Sequence, residues 1–275
     1  MHLPENPRMA PVRVPEITVY FWIVKILTTG AGESTSDFLL HRFNPILAAA
    51  AAAVVLGMAL AIQFRMHRYV AWAYWFAVVM VAIFGTMAAD VLHDGLHVPY
   101  LTSTIVLGVA LAVIFAAWYR SEQTLSIHSI TTRRREAFYW VTVIATFAVG
   151  TAAGDMTATT FGWGYLASGV IFAIAFAIVG VAHFLWVRAR PGERHRSSGG
   201  VLAFWLAYIL TRPLGASFAD WVGKPPNKLG LGIGDGTVSI ALLLLIVILV
   251  AYLAVSKKDV PARDDDVDPM LRRTA

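Results

Sequence analysis

At 275 residues, 58% of them hydrophobic and only 14% charged, the chain is too apolar for an ordinary soluble domain, in which about 25% of residues are charged. It has no cysteine, which excludes disulfides, thiolate metal sites and cysteine nucleophiles. The formal net charge of +5 is no nucleic-acid signature, because the Lys and Arg residues gather at the edges of apolar segments.

The chain opens with a proline-bearing tail over residues 1–16 that shows no cleavable signal pattern. Eight apolar segments follow, at about 17–37, 46–63, 71–92, 101–119, 137–157, 164–187, 201–221 and 237–255. Each is near the roughly 20 residues that a helix needs to cross a bilayer. Lipid offers no partners for open strand edges, so the expected fold is all-α, a polytopic membrane bundle of eight transmembrane helices. Residues 257–275 are charged, include Asp264, Asp265 and Asp266, and read as a solvated, disordered tail.

Lys and Arg set the expected orientation. Seventeen of the 22 lie in the two tails or in the links after even-numbered segments, and only Arg42, Lys224 and Lys228 lie in links after odd-numbered ones. Lys25 and Arg212 fall inside spans. Both termini are therefore expected in the cytoplasm.

One pattern recurs four times: Trp, nine residues, Gly, four residues, Asp. The copies are Trp22/Gly32/Asp37, Trp75/Gly85/Asp90, Trp140/Gly150/Asp155 and Trp205/Gly215/Asp220. An aromatic residue precedes each Trp: Phe21, Tyr74, Tyr139 and Phe204. The recurrence implies four duplicated two-helix units, at about 17–64, 70–120, 136–188 and 200–256. Each unit has an even number of spans, so all keep one orientation and are related by an axis along the membrane normal. A helix rises 1.5 Å per residue, which places every Asp about 22 Å beyond its Trp. The four Asp residues are expected in one layer toward the outer side, facing the bundle interior rather than lipid.

Several polar groups accompany that layer. Glu33 and Asp37 share a helical face at i, i+4, amid Ser34, Thr35 and Ser36, an oxygen-rich patch suited to hard cations. Asp90, His93, Asp94 and His97 would share one face of a continuous helix. The two His and two Asp side chains would then suit a divalent metal, unless Gly95 breaks the helix. Lys25 is expected to snorkel toward the inner edge. Arg212 lies too deep for that and is expected to pair with an acid from another repeat, Glu33 or Asp37. Pro213 is expected to kink or break its span. For each group there is also a structural reading, in which it caps a helix or cements packing.

The runs Val14–Thr18, Tyr20–Lys25, Thr28–Thr29 and Gly32–Asp37, with Gly150–Asp155 and Leu210–Ser217, resemble a bacterial family of uncharacterised membrane-anchored proteins built from up to four copies of a repeat of unknown function. The resemblance spans roughly residues 14–255 and implies a bacterial inner-membrane protein. It brings no catalytic or binding residues with it.

The physical reading is a transporter or channel for a small inorganic cation, with a divalent metal such as manganese as the favoured cargo. Glu33, Asp37, Asp90, Asp155 and Asp220 would replace hydration oxygens, and protonation of one carboxylate would supply coupling. The lipid bilayer is the expected partner, a homo-oligomer is compatible with the reading, and no organic cofactor or nucleic acid is implied. No nucleophile–base pair points to an enzyme. The alternative is a non-transporting membrane sensor or assembly protein whose Asp layer is structural.

Overall fold

The computed structural model describes residues 11–95, 97–189 and 198–261. Its eight long helices are α1 Val19–Arg42, α2 Pro45–Arg65, α3 Ala71–Asp90, α4 Tyr100–Glu122, α5 Arg133–Asp155, α6 Gly164–Ala189, α7 Ser198–Gly223 and α8 Asp235–Ser256. Local sequence explains several starts. Thr18 accepts a hydrogen bond from the Phe21 amide and Thr132 from the Arg135 amide, each at an N-cap. Asn44 caps α2 just before Pro45, whose missing amide proton costs nothing at the first helical position. α3 and α5 each continue into a π-helical turn, Val91–Gly95 and Met156–Thr160, beginning one residue after the repeat Asp.

Among the described residues, seven helices are long and apolar enough to cross a membrane. The eighth, α1, carries Lys25, Glu33 and Asp37 and is enclosed by α3, α7 and α8. Burial separates the helices into two classes. Over half of the apolar stretch is buried in α3, α5 and α7, but 28% or less in α2, α4, α6 and α8. The odd helices therefore form an inner ring, and the even helices present Val, Ile and Leu outward, among them Val109, Val113, Ile178, Val181 and Ile248.

The ring closes in chain order, α1 to α3 to α5 to α7 and back to α1, and the repeat motif is what closes it. The aromatic residue before each Trp packs on the Trp of the next repeat. Ring centroids are 5.7 Å apart for Phe21–Trp75, 5.6 Å for Tyr74–Trp140, 6.2 Å for Tyr139–Trp205 and 5.8 Å for Phe204–Trp22. The repeat glycines obey the same rule ten residues further on. Gly32 lies against Ala82, Gly85 against Phe147, Gly150 against Arg212 and Gly215 against Thr29. Each of these neighbours stands seven residues after the Trp of the following repeat. A Cβ on Gly32 would come within 2.6 Å of the Ala82 Cβ, so the absent side chain is what lets the helices approach. Across the last seam, the Thr29 hydroxyl donates to the Thr211 carbonyl at 3.0 Å. The four units are thus parallel and related by a pseudo-fourfold axis.

The end of the ring that carries the Trp residues is capped by chain outside the helices. Val14 is buried. Arg13 Nη1 donates to Glu136 Oε2 at 2.7 Å, and Gln63 Nε2 donates to Glu136 Oε1 at 3.0 Å. The Glu16 amide donates to the Asp259 carbonyl, and the Tyr69 hydroxyl donates to the Asp259 carboxylate. Burial, with the Asp259 charge beside it, pushes the Tyr69 phenol well above its usual range. This corrects the expectation of a free tail for residues 257–261: Asp259 is fully buried, because its carboxylate and carbonyl have partners that only the folded bundle presents. Residues 1–10 and 262–275, with Asp264, Asp265 and Asp266, lie outside the described residues. Pro213 does not break its span, since α7 runs through it. Its ring packs against Gly150 and Gly154 of α5, where no side chain obstructs it.

Candidate functional site

The axis is read most simply in layers counted from the repeat Trp. Seven residues on stand Thr29, Ala82, Phe147 and Arg212; eleven on, Glu33, Thr86, Thr151 and Ala216; fifteen on, the four Asp residues. Arg212 reaches from its own layer into the next. Its Nη2 meets Glu33 Oε2 at 2.5 Å, Thr151 Oγ1 at 2.7 Å and Thr86 Oγ1, so one guanidinium ties α7 to α1, α5 and α3. Arg212 is 1% exposed and Glu33 3%. The expected pairing of Arg212 with an acid of the first repeat is therefore present, through Glu33.

Above this pair lies the Asp layer. Asp37 and Asp220 are buried, and with Glu33 they place carboxylate oxygens within 4.8 Å of one another. Lys224, the first residue after α7, sends its Nζ to Asp37 Oδ2 at 2.5 Å and to Asp220 Oδ1 at 3.8 Å. Burial would lower the Lys224 pKa, but the carboxylates of Asp220 and Asp37 outweigh it and hold the ammonium well above the ordinary lysine range. The Ser36 hydroxyl donates to Asp90 Oδ2 at 3.0 Å across the α1–α3 seam. Asp90 and Asp155 are half-buried and lie within electrostatic range of each other, of Glu33 and of Asp37. Among the described residues, the carboxylates of this layer outnumber its cations, Arg212 and Lys224.

Below it, Lys25 is fully buried and does not snorkel. Its Nζ sits 4.0 Å from the Phe147 ring centroid and 4.3 Å from that of Tyr208. It stands three residues after Trp22, on the face that the ring turns inward, so its stem has no route to the edge. Among the described residues it has no hydrogen-bond acceptor. Cation–π contact with two ring faces takes that place. Lys25 and Arg212 are not paired with each other; they are stacked along the axis near the same Phe147 ring. Deeper still, the Tyr74 and Tyr139 hydroxyls bond at 2.5 Å inside the aromatic layer.

The His-bearing segment does not form the expected single helical face. The π-helical turn ends at Gly95, and His97 lies beyond it with φ 56°, in the left-handed region. His93 places Nδ1 2.7 Å from the Val98 carbonyl and stacks on Tyr100, while Asp90 turns to Ser36. Asp90, His93 and His97 are not brought within one ion's reach. The Asp94 side chain lies outside the described residues.

Lys224 is the residue of this cluster that sequence reasoning missed. It read as one of the few cations in an outer link, whereas its i, i+4 spacing from Asp220 was the available sign. Thr86 and Thr151 were also legible in principle, since they share Glu33's register after the Trp.

A model of the family described as Repeat of Unknown Function (DUF347) matches residues 20–69, 73–124, 138–189 and 203–259, one match for each two-helix unit. No curated protein and no solved structure matches the chain.

Proposed function

The chain belongs to this repeat family of unknown function, so its role rests on the polar layer, and we propose that it is a membrane carrier for a small divalent cation. The carrying observation is the excess of carboxylates over cations in that layer, inside a bundle whose outer helices present apolar side chains outward. Ionised carboxylates held this close repel one another unless a proton or a metal ion joins them. Oxygen-only donors suit a hard ion, with manganese the favoured cargo, and protonation of a carboxylate supplies coupling. The Trp end is filled by stacked aromatics, Lys25 and the Arg13–Glu136 cap, which favours alternating access over an open pore.

We place the protein in a bacterial inner membrane with both termini in the cytoplasm, which puts the Asp layer toward the outside. Reporter fusions after Arg42 and Lys228 are expected to read external, and those after Arg135 and Arg196 cytoplasmic. The reverse pattern would move the layer to the inner side.

A second reading has its own support. Arg212 bonds three other inner helices, as a group that only cements the ring would. Uptake of manganese, calcium, magnesium and zinc by proteoliposomes separates the two readings. A carrier accumulates at least one ion above protein-free vesicles, whereas a sensor or assembly protein accumulates none.

A further inference from the structure

We propose that Lys224 is a built-in competitor for the cargo: its ammonium occupies the site made by Glu33, Asp37 and Asp220, and a hard divalent cation binds there by displacing it. This rests on the reading of the layer as a cation site and adds how that site is regulated.

Three observations carry it. The first is spacing. Carboxylate oxygens of Glu33, Asp37 and Asp220 lie within 4.8 Å of one another, close enough for one ion with oxygen ligands at about 2.3–2.6 Å to reach all three. The second is an unmet acceptor. Asp220 is 4% exposed, yet its Oδ1 has no hydrogen-bond partner among the described residues. Its contact with the Lys224 ammonium is 3.8 Å, against 2.5 Å for Asp37, so the ammonium serves one carboxylate well and the other loosely. An ion with several coordination positions would serve both.

The third is the mounting of Lys224. Its backbone is fixed: the Lys224 amide donates to the Asp220 carbonyl, and the Gly232 amide donates to the Lys224 carbonyl, both at 2.8 Å. The chain then doubles back along the end of α7, with Leu231, Ile233 and Gly234 amides bonded to the Trp221, Val222 and Gly223 carbonyls. The four-carbon side chain alone is left to swing. Seated, it keeps the empty site charge-compensated, so a cargo-free carrier can exist without leaving Asp37 and Asp220 to repel. Displaced, it leaves those carboxylates to the metal.

The test is calorimetric titration of manganese and calcium into the detergent-purified full chain, comparing wild type with Lys224→Met, Lys224→Gln and Lys224→Arg. Removing a charge about 4 Å from the ion is expected to tighten binding about tenfold or more in the Met and Gln variants. Lys224→Arg retains the charge and is expected to bind no tighter than wild type. Adding Asp220→Asn to Lys224→Met is expected to erase the gain. Unchanged or weaker binding in the Met and Gln variants, with wild type binding and all proteins monodisperse, overturns the competitor role and leaves the carrier reading standing. Absence of binding in wild type and variants alike overturns both.

Discussion

Arg212→Met is expected to lower the melting temperature sharply and to reduce the yield of folded protein. The substitution leaves Glu33, 3% exposed, without its counter-charge, and strips Thr86 and Thr151 of a shared donor. Breaking a buried pair on one side costs about 3–5 kcal/mol, a large part of the 5–15 kcal/mol that holds a typical domain together. The paired change Arg212→Met with Glu33→Leu removes both charges and is expected to restore most of the lost stability. Melting curves on detergent-extracted protein measure this directly: a double-mutant cycle should show coupling of about 2 kcal/mol or more. Additive effects would mean that the 2.5 Å contact contributes little. The rescued double variant also separates the two functional readings. It is expected to fold yet lose cation binding, because Glu33 is a ligand; retained binding would show the pair to be cement alone.

Arg13→Ala is expected to act at the opposite end with a comparable cost. Glu136 is fully buried and, among the described residues, would keep only the Gln63 amide as a side-chain partner. A loss of about 3 kcal/mol is expected, with the Glu136→Gln change milder because no uncompensated charge remains. Since Arg13 anchors the segment that caps the aromatic layer, the variant should also expose that end. A cysteine placed at Val14, buried in wild type, should react with a water-soluble maleimide many times faster in the Arg13→Ala background. Equal labelling with equal melting temperatures would show that the cap is not held by this pair.

The fold was legible because duplication left a fixed register. The fifteen-residue Trp-to-Asp spacing holds the helices in phase, and the same register explains why each aromatic residue meets the next repeat's Trp. Arg212's pairing was legible too, since a cation that deep must find an acid. What was not legible depended on backbone departures or on closure in three dimensions. The His93–His97 spacing reads as one face only if the helix stays α-helical, and a π turn adds a residue per turn and redirects all that follows. Lys25 looked able to snorkel because linear sequence does not show that Phe147 and Tyr208, over a hundred residues away, close over it. Lys224 looked like a solvated link residue because nothing in sequence says that the chain after α7 turns back toward Asp37. The stretch Lys257–Pro261 looked like free tail because the partners of Asp259, Glu16 and Tyr69, come from the first quarter of the chain.

The central claim is that the carboxylate layer binds and carries a divalent cation. Manganese uptake into proteoliposomes, wild type against Asp37→Asn with Asp220→Asn, tests it most directly. The two substitutions keep side-chain volume and remove the charges of two buried carboxylates that share Lys224. Saturable uptake by wild type and uptake at the protein-free level by an intact, monodisperse double variant is the predicted result. Equal uptake by both proteins, or none by wild type across the cation panel, would contradict the account.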